Sequence, residues 1–484
     1  MSVPNARVSR SVRSHRAVGV VLGMSLLVAV AACGQKPGTH NAAKDALPEI
    51  ILQTGSGGGA ATSATDGGAV ATDGGTTTGG TTTGGSTGGT TGGTAGGATA
   101  GSTGAAALTL TGKDRTGVSA DTINLAVHAP VTGAAPLPAE SFEKSKDLYW
   151  RYVTEVKGEK VLGRSHVKVS FKDDKYTPNT AIQACRELAA SNFLLVGAGG
   201  TDQIQACAQF AEKSGVPYLS PGVTEVGLTG LKDYFATGMT YPEQAVLLAQ
   251  YVKKNFAGKK VGAIITNTPN FDDAAAAWDK AVKTQGLNYF KTLRHPKGNN
   301  SWITAYASEM KGAGVEVLFI LSAPVDYIQF AQQSGTQGFK PQYVGVGISK
   351  GLNAVLGAGC PDVDGGIFFS PFPGLDWAGK NLPEFFAAGQ KFGVPTDDLA
   401  LALWGLASVE HETFKRYEQV YKSTDLTRED YVKMLQVQTG IATKSNPQLS
   451  FTPTDHFGAS QVHVLKADCA AGEHKTLATF ASGF

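Results

Sequence analysis

Apolar positions in this chain alternate between short continuous runs and helical stripes. Residues 122–128 (TINLAVH) form a run that Pro130 stops, as a buried strand would be. Over 140–157 the apolar positions Phe142, Leu148, Tyr149, Tyr152, Val153 and Val156 fall at helical spacing. Residues 167–171 read as a strand, and Thr177 as N-cap with Pro178 behind it opens a helix to 190. Residues 193–224 then give strand, glycine-rich turn, helix, short strand and a second polar turn. A second alternating set follows, with helices at 241–256, 272–285, 302–313 and 325–335 and strands at 260–265, 289–293, 315–320 and 343–346. Residues 366–370 make one more strand, helices dominate 382–438, and 462–466 is a late strand. Strands alternating with helix-length crossovers predict an α/β fold with parallel sheets covered on both faces. Two such units are either independent domains or lobes that face each other, and sequence order does not choose.

The N-terminal part follows another pattern. Arg7, Arg10, Arg13 and Arg16 precede an apolar run over 17–32, the order of a signal peptide. The run is short for a membrane-spanning helix, which needs about 20 apolar residues. It ends Val30-Ala31-Ala32-Cys33-Gly34, which resembles the bacterial lipobox whose cysteine is acylated; the alternative is an ordinary signal peptide with an incidental cysteine. From 54 to 104 the chain is almost only Gly, Thr, Ala and Ser, with too little apolar surface to offset the entropy of ordering. The expected organisation is a signal peptide over 1–32 and a lipid-anchored tether over 33–120. A coil of roughly 70 such residues spans about 50 Å.

Composition narrows the classes. At 484 residues with a net charge of +2, the chain exceeds one ordinary domain and gives no charge argument for nucleic acid. The five cysteines, Cys33, Cys185, Cys207, Cys360 and Cys469, include no Cys-x-x-Cys pair, so neither zinc nor a redox motif is expected. Without Cys33 four remain, and in an exported protein an even number suggests two disulfides.

Enzyme motifs fail. Gly197-Ala198-Gly199 has Asp202 where a dinucleotide fingerprint needs its third glycine. The chain has no Walker A run and no Gly-x-Ser-x-Gly elbow. His411-Glu412 is followed by Lys415 where a zinc motif needs histidine, and the pair reads as a solvated helix face.

Gly197, Thr201, Gly215-Val216-Pro217 and Ser220-Pro221-Gly222-Val223-Thr224 together resemble the branched-chain amino-acid binding proteins of ABC transporters, in the type I periplasmic binding-protein family. Pro130-Val131-Thr132-Gly133, Asp173-Asp174 and a Cys185/Cys207 pair fit the same pattern. The resemblance runs from about 121 to the C-terminus. It implies two doubly wound parallel-sheet lobes, 121–241 plus 371–448 and 242–370 plus 449–484, joined by three crossings near Tyr241, Ser370 and Leu449. A Cys185–Cys207 bridge would pin the helices flanking the glycine turn, and a Cys360–Cys469 bridge would close a longer loop. On the chain-entropy model these are worth about 3 and about 5 kcal/mol. Free buried thiols are the alternative.

The implied ligand set starts with Thr201, Gly222 and Thr224 of the first lobe, where turn N–H groups and hydroxyls favour an anion. Asp202 either caps a helix starting at Gln203 or holds a cationic or hydroxylated ligand. Asn267, Phe271, Ser322 and Gly347 come from the second lobe, with Phe271 either lining or core. His128 and Thr132 complete the set, His128 being either a contact or a structural residue. The sequence lacks the acidic residue near Gly347 and the aromatic hydroxyl near Ala323 that amino-acid binders carry, so an amide or another polar metabolite competes with an amino acid as ligand. The expected protein is a non-enzymatic, monomeric, lipid-anchored solute-binding component facing outside the cytoplasm. It would need no metal or cofactor and would deliver ligand to an ABC permease; a ligand sensor of the same fold is the alternative.

Overall fold

Short β-branched and aliphatic runs pair into two sheets. The first is built from β1 (Thr122–Ala129), β2 (His166–Asp173), β3 (Leu194–Gly197), β4 (Tyr218–Ser220) and β5 (Tyr234–Ala236), in the order β2-β1-β3-β4-β5 with every pair parallel. The second contains β6 (Lys260–Thr266), β7 (Asn288–His295), β8 (Val317–Leu321), β9 (Gln342–Val346), β10 (Ile367–Ser370), β11 (Val462–Asp468) and β12 (Glu473–Ala481). Its order is β12-β11-β10-β9-β8-β6-β7. These elements belong to a computed structural model that describes residues 108–346 and 352–484. The expected signal peptide, the Cys33 acylation site, the Gly/Thr-rich stretch and Gly347 lie outside the described residues.

The α/β architecture is as expected, with one correction. The second sheet is mixed, because β11 pairs antiparallel with β10 and β12 with β11. The sequence shows no sign of β12: it is an edge strand whose residues are mostly half-exposed, so no apolar run marks it.

Alternation along β1 sends Ile123, Leu125 and Val127 to one face and Ala126 to the other. The first face packs on the long helix Asp398–Tyr421. The second packs on the helices Pro178–Ala189 and Thr201–Ser214 through Cys185, Leu188, Ile204 and Cys207. Cys185 and Cys207 are bridged, Cα atoms 6.0 Å apart, and so are Cys360 and Cys469 at 5.7 Å.

Three local expectations change. The single helix over 140–157 breaks into Ala139–Ser145, Leu148–Arg151 and a π-turn Tyr152–Val156; Asp147 leaves helical geometry at φ −116°. Thr177 stands at the N-cap position, but its hydroxyl donates to Thr180 Oγ1 and caps no backbone N–H. His411 is buried, not solvated: Tyr149 Oη lies 3.0 Å from Nδ1 and Glu159 3.2 Å from Nε2. The helix Asp398–Tyr421 is covered on more than one side, which a one-face periodicity does not reveal.

Residues 108–120, assigned above to the tether, lie on the folded body. Leu108, Leu110 and Val118 pack against the first core. The Asp430 carboxylate accepts from Gly112 N at 2.8 Å, and Asp114 pairs with Arg428 at 3.0 Å.

The same long helix buries Glu410. Burial pushes its carboxyl up to about 8, against a hydrogen bond from Trp150. The folded state therefore keeps a proton that the unfolded chain releases near 4.5. This contribution is complete below that value and is lost as pH rises towards about 8. Glu410→Gln, neutral throughout, should gain stability over the parent as pH rises from about 5 to about 9. The gain should reach at most ~5 kcal/mol. Thermal unfolding across that range checks it, and a pH-independent difference would contradict it.

Candidate functional site

Parallel strands place the loops at their C-terminal ends on one edge, and a cavity of about 70 Å³ lies where such loops from both sheets meet. From the first sheet come Pro130, Ala135 and Leu137 after β1, Tyr176 after β2, and Gly199, Gly200 and Thr201 after β3. From the second come Phe271 after β6 and Leu321, Ser322, Ala323 and Pro324 at the end of β8. Tyr241 opens the helix Tyr241–Asn255 that connects the two sheets, and its ring stacks on Phe271 at 5.9 Å between centroids.

The wall is apolar with few polar points. Ser322 Oγ is buried and has no hydrogen-bond partner among the described residues. Thr201 begins the helix Thr201–Ser214 with Gly200 as N-cap at φ +77°, so the first helical N–H groups lie at this edge. The positive φ at Gly200 explains the glycine. Burial pushes the Tyr241 hydroxyl up to about 12, with a hydrogen bond from Thr201 working the other way.

The loop carrying Tyr176 is held in an unusual shape. Lys175 and Tyr176 both have positive φ, +54° and +58°. Such geometry in consecutive non-glycine residues needs support from its surroundings. Asp173 supplies part of it, accepting from Val131 N at 3.0 Å and Lys175 N at 2.9 Å, and also from the Thr132 hydroxyl. Burial raises the Asp173 carboxyl, but the bonds from Thr132, Lys175 and Val131 outweigh it and hold the group below the usual carboxylate range.

Of the expected ligand residues within the described part of the chain, Thr201, Phe271 and Ser322 share the cavity wall, and the other described ones stand off it. His128 is corrected to a structural role. It is fully buried, with Nδ1 2.8 Å from Asp174 and Nε2 2.7 Å from Tyr218 Oη, so neither nitrogen is free for a ligand. Its approach to Cys185 and Cys207 forms no metal site, because both sulfurs are in the disulfide. Thr132 anchors its loop to Asp173. Asn267 is exposed beyond β6.

Gly222 and Thr224 belong to the connection between the sheets. Gly222 has φ +87°, and a Cβ there would lie 2.3 Å from Gly238 O. Tyr241 N donates to Val223 O at 2.9 Å. Thr224 Oγ1 donates to Asp273 of the helix Asp272–Thr284 at 2.8 Å, and Glu225 N donates to the same carboxylate at 2.7 Å.

Asp202 does not cap the helix. Its carboxylate accepts from Asn270 and pairs with Lys297, both on the second-sheet side. Tyr176 and Lys297 are the site residues that sequence reading missed. Nothing in the local pattern marks Lys297, which meets Asp202 from 95 positions away.

A larger cavity, about 330 Å³, opens elsewhere against Tyr149, Trp404 and His411. Its lysines are already paired: Lys157 and Lys415 with Glu159, and Lys444 with Glu384. The smaller cavity is the candidate site, because loops of both sheets converge on it and a buried hydroxyl there lacks a partner among the described residues.

Two sheets with facing strand-end loops and a cavity between them define a two-lobed α/β binding protein. The chain belongs to the periplasmic binding protein family, whose profile matches residues 122–473. The resemblance carried by Gly197, Thr201 and the turn 220–224 is thus borne out, and with it a binding protein and not an enzyme. A relative in Brucella melitensis, Leu/Ile/Val-binding protein homolog 3, is 26% identical over 203 residues, 41% of this chain and 53% of the relative. Leu/Ile/Val-binding protein homolog 7 of Brucella abortus is 25% identical over 42% of this chain and 49% of its own length. The chain thus spans about half the length of these curated relatives. Among solved structures, a fatty acid ABC transporter substrate-binding protein from Thermomonospora curvata superposes with a TM-score of 0.66 at 19% identity, covering 77% of this chain and 95% of that one. A branched-chain amino acid ABC transporter protein from Thermus thermophilus with bound valine gives 0.61 at 17%, covering 76% and 98%. A solute-binding protein from Rhodopseudomonas palustris in complex with 3,4-dihydroxybenzoic acid gives 0.60 at 18%, covering 75% and 98%. Among the described residues no helix is long and apolar enough to cross a membrane.

Gly222→Ala should test the connecting role of the 220–224 turn. Positive φ and the contact with Gly238 O together should cost about 2 kcal/mol, read as a lower urea midpoint of the ligand-free protein. An unchanged midpoint would remove Gly222 from the connection.

Proposed function

We propose that this protein is the solute-binding component of an ABC importer, tethered outside the cytoplasm through acylated Cys33. It would hold one small ligand between the lobe built on the first sheet, which also carries residues 108–120 and Leu449, Phe451 and Ala459, and the lobe built on the second, and pass it to a membrane permease. The observation that carries this reading is the cavity shared by Thr201 of one sheet and Ser322 of the other. A ligand touching both stabilises the closed arrangement of the two, which is what a permease would recognise.

The wall favours a ligand with a compact apolar body and one hydrogen-bond-accepting end. Pro130, Leu137, Phe271 and Leu321 would cover the body. Ser322 Oγ, Thr201 Oγ1 and the first N–H groups of the helix Thr201–Ser214 would meet the accepting end. Relatives named for branched-chain amino acids, valine, a fatty acid and 3,4-dihydroxybenzoic acid bracket that chemistry. Among the described residues no carboxylate lines the cavity, which weighs towards small organic acids over α-amino acids.

A thermal-shift panel of valine, leucine, benzoate, 3,4-dihydroxybenzoate and short fatty acids tests this, since a ligand bound only by the native state raises the unfolding temperature. Thr201→Ala and Ser322→Ala should each weaken the best ligand about tenfold, one lost hydrogen bond in a buried site; Ser322→Ala should leave ligand-free stability nearly unchanged, while Thr201→Ala should lower it by about 1 kcal/mol because the buried Tyr241 hydroxyl loses its partner. Thr224→Ala should instead lower stability and leave affinity within about threefold, because its partner is Asp273. Unchanged affinity in both cavity variants would remove this cavity as the ligand site.

A further inference from the structure

The mouth of the cavity holds a cation of the protein's own. Lys297 leaves the loop after β7, and its Nζ stands 4.0 Å from the centroid of the Tyr176 ring. The same ammonium pairs with Asp202, whose carboxylate also accepts from Asn270. Asp326, in the first turn of the helix Pro324–Thr336, lies within range of this charge: burial pushes its carboxyl up to about 6, and Lys297 draws it back down. Tyr176 and Asp202 come from the first-sheet side, and Asn270, Lys297 and Asp326 from the second.

An aromatic face beside a carboxylate is the pair of groups that recognises an ammonium. Here the chain itself supplies the ammonium, and the side chains of Lys297 and Asp202 are only 23% and 18% exposed. What remains for a ligand is the apolar cavity lined by Tyr176, with Ser322 Oγ in its wall unpartnered among the described residues. A ligand ammonium entering it would be desolvated with no carboxylate on the wall among the described residues and with Lys297 as a like charge nearby, and both effects oppose binding.

We propose that Lys297 is the specificity-determining residue of the cleft: its ammonium fills the cation subsite formed by Tyr176 and Asp202, so the cavity takes small ligands that carry no positive charge. This rests on the reading of the cavity as the ligand site. It goes further by naming the residue that sets the charge class. Removing the Lys297 side chain frees the aromatic face and the carboxylate together, and a ligand amine can then take the vacated place.

Benzylamine and benzoate, one ring with opposite charges, are the probes, read by calorimetry and thermal shift on the full folded chain. Lys297 sits in a partly exposed loop, and Asn270 still donates to Asp202 when the lysine is removed, so each variant is read only after its thermal unfolding shows a cooperative fold. The parent should show no benzylamine binding at millimolar concentration. Lys297→Ala should gain at least about tenfold in benzylamine affinity, the scale of one cation–π contact with one charge pair. Lys297→Arg should keep the exclusion, and Asp202→Asn placed on Lys297→Ala should cancel the gain. A folded Lys297→Ala protein without that gain overturns the proposal, as does a parent that binds benzylamine as tightly as the variant. Benzoate reports on the other question. If neither benzoate nor any other acid binds the parent, the organic-acid reading fails, and the amine gain in Lys297→Ala still decides the role of Lys297.

Discussion

Everything at the cleft edge of the first sheet depends on one buried hydrogen-bonded set, His128 between Asp174 and Tyr218. All three side chains are fully buried. They join the end of β1 to the residue after β2 and to β4. Tyr218 Oη stands 2.0 Å from where a Cβ on Gly197 would be, so the strand before the glycine turn can end only in glycine. Asp174 extends the set outward: Tyr176 N donates to its carboxylate at 3.0 Å and Thr177 N to its carbonyl at 3.1 Å. Removing any member leaves buried polar partners unsatisfied, at about 1–3 kcal/mol each. The geometry of the Tyr176 loop is therefore inherited from the sheet interior, and its two residues at positive φ are supported from beneath.

The connection between the sheets is built differently, from close backbone contacts and not from a side-chain network. Gly222 and Gly238 exclude side chains from their contact, since a Cβ on Gly238 would lie 2.0 Å from Pro221 O. Thr224 and Glu225 N fasten the following residues to Asp273. Such contacts act over very short distances and fix the connection, while the cavity a few residues away is left to the side chains that meet across it. Connection and ligand contact are thus separate jobs for residues that lie side by side in the sequence.

That separation explains what the sequence disclosed. Strand ends and glycine turns were legible because each is a local pattern, and they led to Thr201, Phe271 and Ser322. Gly222 and Thr224 carried the same polar-turn signature, but one turn faces the cavity and the other faces the connecting helix; local pattern does not record direction. For Asp202 the local pattern leaves a helix cap or a ligand contact open, and neither gives its partners, Asn270 and Lys297. His411 was read as solvated from the charged residues beside it, while Tyr149 and Glu159, far away in sequence, cover it. The misses share one cause: each depends on a contact between distant segments, and one sequence holds no record of those.

The Asp202–Lys297 pair also bears on how far the closed arrangement can be biased. Asp202 lies in the first turn of a helix, where the dipole already favours a negative charge. Lys297 neutralises it across the cleft, so the mouth carries little net field. Partly exposed pairs of this kind contribute on the order of 1 kcal/mol. That is enough to tilt the balance between open and closed arrangements and too little to fix it, because driving such an equilibrium from one side to the other takes about 5.5 kcal/mol of differential binding. The larger share falls to whatever fills the apolar cavity and meets Ser322. On the proposed reading, a latch of this size would let the protein discriminate by charge and still leave closure to the ligand.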